Sequence, residues 1–151
     1  MVSAVATLDL PEQFIAVIKD RAKQSELPQK VPAYCGQVWT FIHSRPDIKS
    51  NGRMIATYRG SDKNDLQIEV GAQVAARFKS DGPVVSSSIP ACRAAMVTLA
   101  GPYSDMHKAY DVLFAWCKQN GHKTGVCWEL YHHPEPAPAP PKTDIFAQLI
   151  S

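Results

Sequence analysis

No run in this sequence approaches the roughly 18 consecutive apolar residues that a membrane-crossing helix requires, so an anchor of that kind is excluded. The opening segment, Met1 to Leu10, has neither the basic flank nor the apolar stretch of a secretory signal, which points to a cytoplasmic protein. Cysteine is sparse. Cys35, Cys92, Cys117 and Cys127 stand far apart, form no C-x-x-C pair and sit in apolar surroundings. They read as buried thiols of a reducing compartment, not as disulfides or metal ligands. A surplus of charge is missing as well: 16 Lys and Arg face 14 Asp and Glu, and the basic residues are scattered along the chain. Without a basic stripe there is no field to hold a phosphate backbone, so direct nucleic-acid binding is not expected.

Chemistry-bearing motifs are also few. Neither Gly-x-Ser-x-Gly nor a phosphate-cradling glycine loop occurs, which removes the serine-hydrolase and nucleotidase readings. His132 and His133 are adjacent, yet neighbours on a strand point to opposite faces, and no His-x-x-x-His spacing completes a metal site. Neither a metal nor a cofactor is expected.

What is present is enough for a core. The 151 residues are 45% apolar and 20% charged, the range of one globular domain. Gln13 to Lys19 is short, rich in β-branched residues and preceded by Pro11, which predicts a buried strand. Pro32 suits the first turn of a helix whose stripe is Tyr34, Cys35, Val38, Trp39 and Ile42, with Pro46 and Ser50-Asn51-Gly52 ending it. Strands follow over Arg53 to Tyr58 and Leu66 to about Phe78, joined at Gly60-Ser61-Asp62.

The same order then returns. A strand is predicted from Cys92 to Leu99. Gly101-Pro102-Tyr103 then leads into a helix with Ser104 as its cap and Asn120-Gly121 as its stop, and its apolar stripe runs through Met106, Ala109, Tyr110, Leu113, Trp116 and Cys117. Two strands close the chain, Val126 to His132 and Thr143 to Ile150, separated by the proline-rich loop Pro134 to Lys142, read as a stiff surface connector. Gly82-Pro83 and Ser86-Ser87-Ser88 read as the linker between the halves. Gly52 and Gly125 stand 73 residues apart, as do Tyr58 and Tyr131, while the prolines before the first strands, Pro11 and Pro90, are 79 apart. Two strand-helix-strand-strand repeats result, about 11–80 and 89–151, behind an N-terminal extension of residues 1–10. The expected fold is α+β, an antiparallel sheet with two helices, its repeats related by a pseudo-two-fold and leaving a pocket between them.

Four motifs in this order resemble the GyrI-like domain, the effector-binding domain of multidrug-sensing bacterial transcription regulators. They are Glu69-Val70-Gly71, then Ile89-Pro90-Ala91 with Gly101-Pro102-Tyr103, then Trp128-Glu129-Leu130-Tyr131, and finally Lys142-Thr143-Asp144-Ile145. The resemblance runs from about Pro11 to Ile150. It implies a small-molecule site lined by aromatic rings and floored by a glutamate, here Glu129. Only about ten residues precede the first predicted strand, too few for a helix-turn-helix, so the resemblance is to a stand-alone member that does not itself regulate DNA.

Alternation along a strand puts Glu129 and Tyr131 on one face and Trp128 and Leu130 on the other; the repeat alignment sets Ala56 and Tyr58 at the matching positions. A carboxylate among rings suits a lipophilic cation. The expected ligand contacts are Glu129, Tyr131, Tyr58, Trp39, Tyr103 and Trp116. The alternative is a hydrolase, because some proteins of this kind open cyclopropane rings in DNA-alkylating toxins. Glu129 and Tyr131 would then be catalytic. A third reading is a protein-binding inhibitor of a topoisomerase. The pattern assigns no oligomeric state.

Overall fold

A computed structural model of the chain describes residues 1–60, 62–132 and 139–150. In chain order the strands and helices are β1 (Ala6–Leu10), β2 (Gln13–Ala22), α1 (Leu27–Ser44), β3 (Ser50–Arg59), β4 (Leu66–Val74), β5 (Val85–Ile89), β6 (Cys92–Ala100), α2 (Met106–Gln119), β7 (Thr124–Tyr131) and β8 (Lys142–Leu149). The protein is α+β, and each strand pairing described within a unit below is antiparallel. The contacts divide the chain into two units, Glu12–Pro90 and a second made of Met1–Pro11 with the chain from Ala91 onward.

In the Glu12–Pro90 unit the strands run β3-β4-β2-β5, with α1 on one face. Ala16 and Ile18 of β2, Ala72 and Val74 of β4, and Val38 and Ile42 of α1 form its core with Ile48 and Val84. Helix α1 begins at Leu27, five residues before the Pro32 that the sequence marks as its start. Pro28 takes an early position, Pro32 lies inside, and a 3-10 turn over Gln24–Glu26 leads in. A proline this near the N-terminus removes a single intrahelical bond, so the helix continues through it. Strand β4 passes close to β2 at Gly71, where a β-carbon would lie 1.8 Å from the Ala16 carbonyl oxygen. Only glycine fits there.

The segment read as a linker is a strand: Ser86, Ser87 and Ser88 belong to β5 and pair with Ala16, Ile15 and Phe14. Serine contributes little to a sheet by itself, but pairing with the buried strand β2 satisfies the backbone, and the Ser87 hydroxyl donates to Glu69 at 2.5 Å.

In the other unit the order is β1-β6-β8-β7, with α2 on one face. Ala95, Val97 and Leu99 of β6, Ile145 and Ala147 of β8, and Ala109, Leu113 and Cys117 of α2 are its buried centre. The opening residues add β1, which pairs with β6 from Ala6 opposite Met96 to Leu10 opposite Cys92. Tyr103–Asp105 forms a 3-10 turn, so Asp105 and not Ser104 stands at the N-cap of α2. Gly121, with φ at 72°, terminates that helix where the Asn-Gly pair predicts a stop. His133 and most of the proline-rich loop, Pro134 to Pro138, lie outside the described residues, as does Ser61 of the predicted Gly60-Ser61-Asp62 turn. No described helix is long and apolar enough to cross a membrane.

Candidate functional site

Strand β7 sets the site. Cys127, Glu129 and Tyr131 pair with Ala147, Ile145 and Thr143 of β8, the residues that face α2, whereas Trp128 turns to the opposite face and stacks on Phe146 with ring centroids 5.0 Å apart. The alternation expected from the sequence therefore places Glu129 beneath α2. Its side chain is buried, with 6% of the residue exposed.

A buried carboxylate needs strong donors, and tyrosines supply two. The Tyr131 hydroxyl donates to Glu129 Oε1 at 2.6 Å, and the Tyr110 hydroxyl, reaching down from α2, donates to Oε2 at 2.5 Å. Hydroxyl-to-carboxylate bonds of this length are charge-assisted and hold the acceptor in one position. Tyr103 sets its ring edge-on to Tyr131, centroids 6.0 Å apart, and Phe114 stacks on Tyr110 at 5.8 Å. Both outer rings are open to solvent, Tyr103 at 58% and Phe114 at 41%. The result is a buried carboxylate under a layer of phenols with exposed aromatic rings at its border.

Of the expected contacts, Glu129, Tyr131 and Tyr103 meet here. Trp116 lies further along α2 and stacks on His122, centroids 5.5 Å apart. Trp39 and Tyr58 belong to the Glu12–Pro90 unit. Trp39 is exposed on α1 beside His43, and Tyr58 stands on β3 opposite Ile68. Tyr110 and Phe114 were absent from the sequence expectations for the site. Tyr110 lies on the apolar stripe of α2, where a tyrosine reads as packing, and only the fold brings its hydroxyl to a carboxylate 19 residues away.

The Glu12–Pro90 unit has its own tyrosine-bound carboxylate of a different character. Asp20 on β2 accepts the Tyr34 hydroxyl at 2.5 Å and the Lys30 ammonium at 3.0 Å, both from α1. The hydrogen bonds from Tyr34 and Lys30 hold the Asp20 carboxyl below its ordinary range. This group is neutralised in place and ties a helix to its sheet. A depression of about 110 Å³ between Asp47–Lys49 and Ala75–Phe78 carries none of the expected site residues and is smaller than the roughly 300 Å³ of a drug-sized site.

On the face of β8 opposite Glu129, Asp144 accepts the Thr98 hydroxyl at 2.7 Å and lies 3.0 Å from His132 Nε2. Among the described residues no three His, Cys, Asp or Glu side chains are grouped as a metal site would require. Burial pushes the Cys35 thiol up to about 11 and, with Cys117 and Glu129 nearby, the Cys127 thiol up to about 12. These are inert thiols, not nucleophiles.

The sequence pattern of the GyrI-like small molecule binding domain matches residues 4–150. This chain belongs to that family. No curated protein matches it. Among solved structures, the C-terminal domain of EcmrR is similar at a TM-score of 0.77 and 22% identity, covering 97% of this chain and 96% of that one. Set against the longer EcmrR chain of the EcmrR-DNA complex in EcmrR-RPo, the same likeness spans 57% of its length. SAV2435 bound to tetraphenylphosphonium matches at a TM-score of 0.76 and 11% identity, over 98% of this chain and 94% of that chain. A hydrolase encoded by lin2189 of Listeria innocua matches at 0.62 and 10%, over 97% and 92%. At these identities the GyrI-like neighbours share the fold. The family match adds that it is a small-molecule-binding one.

Proposed function

We propose that this GyrI-like domain binds a lipophilic, cationic aromatic molecule at Glu129. The observation that carries the reading is the pair of tyrosine hydroxyls on the two oxygens of one buried carboxylate, bordered by the exposed rings of Tyr103 and Phe114. Phenol donors favour the ionised carboxylate while leaving ring faces available, and both the charge and the faces attract a cation shed of water. The likeness to SAV2435, a protein bound to tetraphenylphosphonium, supports a cation of that class. Such a site would fit a multidrug-binding, toxin-resistance role in a bacterial cytoplasm.

Calorimetry with tetraphenylphosphonium and with neutral triphenylphosphine oxide tests this. The cation should bind, the neutral compound should bind at least about tenfold more weakly, and Glu129→Gln should remove most of that difference. A unit charge about 4 Å away at an effective dielectric near 20 is worth about 4 kcal/mol, enough to be seen. Equal affinity for the cation in native protein and Glu129→Gln would sink the reading.

A second reading, hydrolysis of cyclopropane-containing genotoxins, has the support of the Listeria hydrolase fold and of a carboxylate already in hydrogen-bond contact with Tyr131. Glu129 would take a proton from water as it attacks the strained ring, and a phenol would hold the water or the developing anion. Turnover of such a compound by the native chain, lost in Glu129→Gln with binding retained, separates this reading from binding alone.

A further inference from the structure

The face of β8 turned away from α2 carries a second buried carboxylate, Asp144, which the candidate site does not use. Resting on the proposed role of Glu129, we infer that Asp144 and His132 are positioning residues for Tyr131: they pin the end of β7 and so keep the Tyr131 hydroxyl on Glu129.

Asp144 stands on the middle strand of three. It lies opposite Thr98 of β6 on one side and opposite Leu130 of β7 on the other, whereas its neighbour Ile145 lies opposite Glu129, so the two carboxylates point to different faces. Only 9% of Asp144 is exposed, and a carboxylate so covered needs hydrogen-bond donors. Two of them meet on one oxygen. The Thr98 hydroxyl donates to Oδ1 at 2.7 Å, and His132 Nε2 lies 3.0 Å from the same atom. An ionised carboxylate only accepts, so Nε2 carries the proton of that contact. One oxygen thus ties β6, β8 and the residue just past β7 to one another.

The strand end is where such a tie has an effect. Pairing of β7 with β8 closes at Tyr131 opposite Thr143, and beyond it the His132 amide donates to the Lys142 carbonyl at 3.1 Å. Strand ends open more readily than strand centres. Glu129 sits inside the ladder, opposite Ile145, but Tyr131, whose hydroxyl makes the 2.6 Å bond to Oε1, is the last residue of β7. A displacement of about 1 Å there takes that bond beyond hydrogen-bond length. His132 follows Tyr131 directly, and its ring is held by Asp144, so the strand end is gripped on one face while it presents a phenol on the other. Tyr110 reaches Glu129 from α2 and does not depend on this grip.

Tetraphenylphosphonium titrated into the whole chain tests this, with His132→Ala, Asp144→Ala and the conservative His132→Gln and Asp144→Asn, each made with Tyr131 intact and again with Tyr131→Phe. Urea unfolding is recorded for every variant. With Tyr131 intact, both alanine variants should bind at least about threefold more weakly, since a charge-assisted hydrogen bond is lost. Glutamine keeps an N–H donor and asparagine an acceptor oxygen, so the conservative variants should return to within about twofold of native affinity. Once Tyr131→Phe leaves no hydroxyl to position, the alanine loss should fall below about 1.5-fold, the non-additivity of residues that act through one another. A tie that merely holds the fold would cost the same factor in both backgrounds. That result overturns the proposal, and so do native affinity in both alanine variants or conservative variants no better than alanine. Should an alanine variant fail to fold, Thr98→Val takes its place, close in shape and two strands from β7, and it should weaken binding only while Tyr131 keeps its hydroxyl. If native protein does not bind tetraphenylphosphonium, the cation reading falls by itself, and urea unfolding judges the pin. His132→Ala should then cost clearly less stability in the Tyr131→Phe background than in the native one, and an equal cost in both overturns it.

Discussion

Glycine at position 71 illustrates how a single residue can be required by geometry while its neighbours are not. The β-carbon of an alanine there would lie 1.8 Å from the Ala16 carbonyl oxygen and 2.9 Å from its carbonyl carbon, both backbone atoms of a fully buried residue. Gly125 looks equally crowded, with a contact at 2.3 Å, but that contact is the tip of the Gln148 side chain, which can turn away at the cost of one hydrogen bond from the Val126 amide. Gly71→Ala should therefore lower stability by about 2 kcal/mol or more, within or above the usual range for overpacking, and Gly125→Ala by clearly less. Urea unfolding of the two variants side by side decides it, and equal losses would contradict the argument. The acidic-Val-Gly motif was visible in the sequence, but not its cause, because the approach of β4 to β2 is a property of the sheet. Glu129 and Tyr131 were legible for a different reason: strand alternation alone puts two residues two apart on one face. Tyr110 was not, since nothing in a helical stripe distinguishes a tyrosine that packs from one whose hydroxyl has a partner across the core.

At the scale of elements, periodicity revealed both helices and the principal strands, and it failed where residues are kept in place by their neighbours. Serines 86–88 carry no apolar alternation, so β5 is invisible until β2 is there to pair with it. Before Pro32 only Leu27 and Val31 mark the helical period, too little to reveal the first turns of α1, and Lys30 ties those turns to β2 by charge and a hydrogen bond. Lys30 and Tyr34 both reach Asp20, and their hydrogen bonds depress its carboxyl pKa in the folded protein. A depressed carboxyl pKa stabilises the folded state above the unfolded value of about 3.9, and that contribution disappears as pH falls through the folded value. Asp20→Asn should therefore be less stable than native protein at pH 7, with the difference narrowing below about pH 4. Thermal melts across pH 2 to 7 measure this, and a constant difference would refute it. Lys30 and Tyr34 have raised pKa values for the same reason, so their share persists below their unfolded values near 10 and fades only as pH rises past them. The outer face of the same helix offers the opposite change. Gly36 is exposed, and a β-carbon there meets nothing within 4 Å. Gly36→Ala should stabilise the protein by about 0.5–1 kcal/mol through the lower entropy of the unfolded chain, read as a higher denaturation midpoint at unchanged slope.

For the molecule as a whole, the division of the chain does not follow its repeats in simple succession. The unit that carries Glu129 is discontinuous: Met1–Pro11 joins it from the far end of the sequence, while Glu12–Pro90 forms the other unit between them. Residues that look like a plain extension thus supply an edge strand, with Ala6 to Leu10 along Met96 to Cys92 and the Ser3 amide donating to the Thr98 carbonyl at 2.9 Å. The sequence hides this because Thr-Leu-Asp-Leu is too short a pattern to mark a strand apart from its partner. Strand β6 in turn pairs with β8, whose Ile145 lies opposite Glu129 on β7, so the chain of pairings runs from the N-terminal segment to the candidate site. Removing residues 1–11 takes away the β1 partners of β6 and with them Val2 and Val5, which pack against the buried cluster that holds Val97 and Leu99. Stability is not uniform across a structure, and loss of an edge strand acts first on the elements paired to it. Hydrogen exchange on the truncated chain should accordingly show faster exchange in β6 and β8, with the amides of β2 and β4 keeping most of their protection. Under the proposed function, tetraphenylphosphonium should bind more weakly as well, because Glu129 pairs through β7 with that same sheet. Uniform loss of protection in both units would mean that they unfold together, and unchanged protection in β6 would mean that β1 contributes nothing to the sheet that holds the carboxylate.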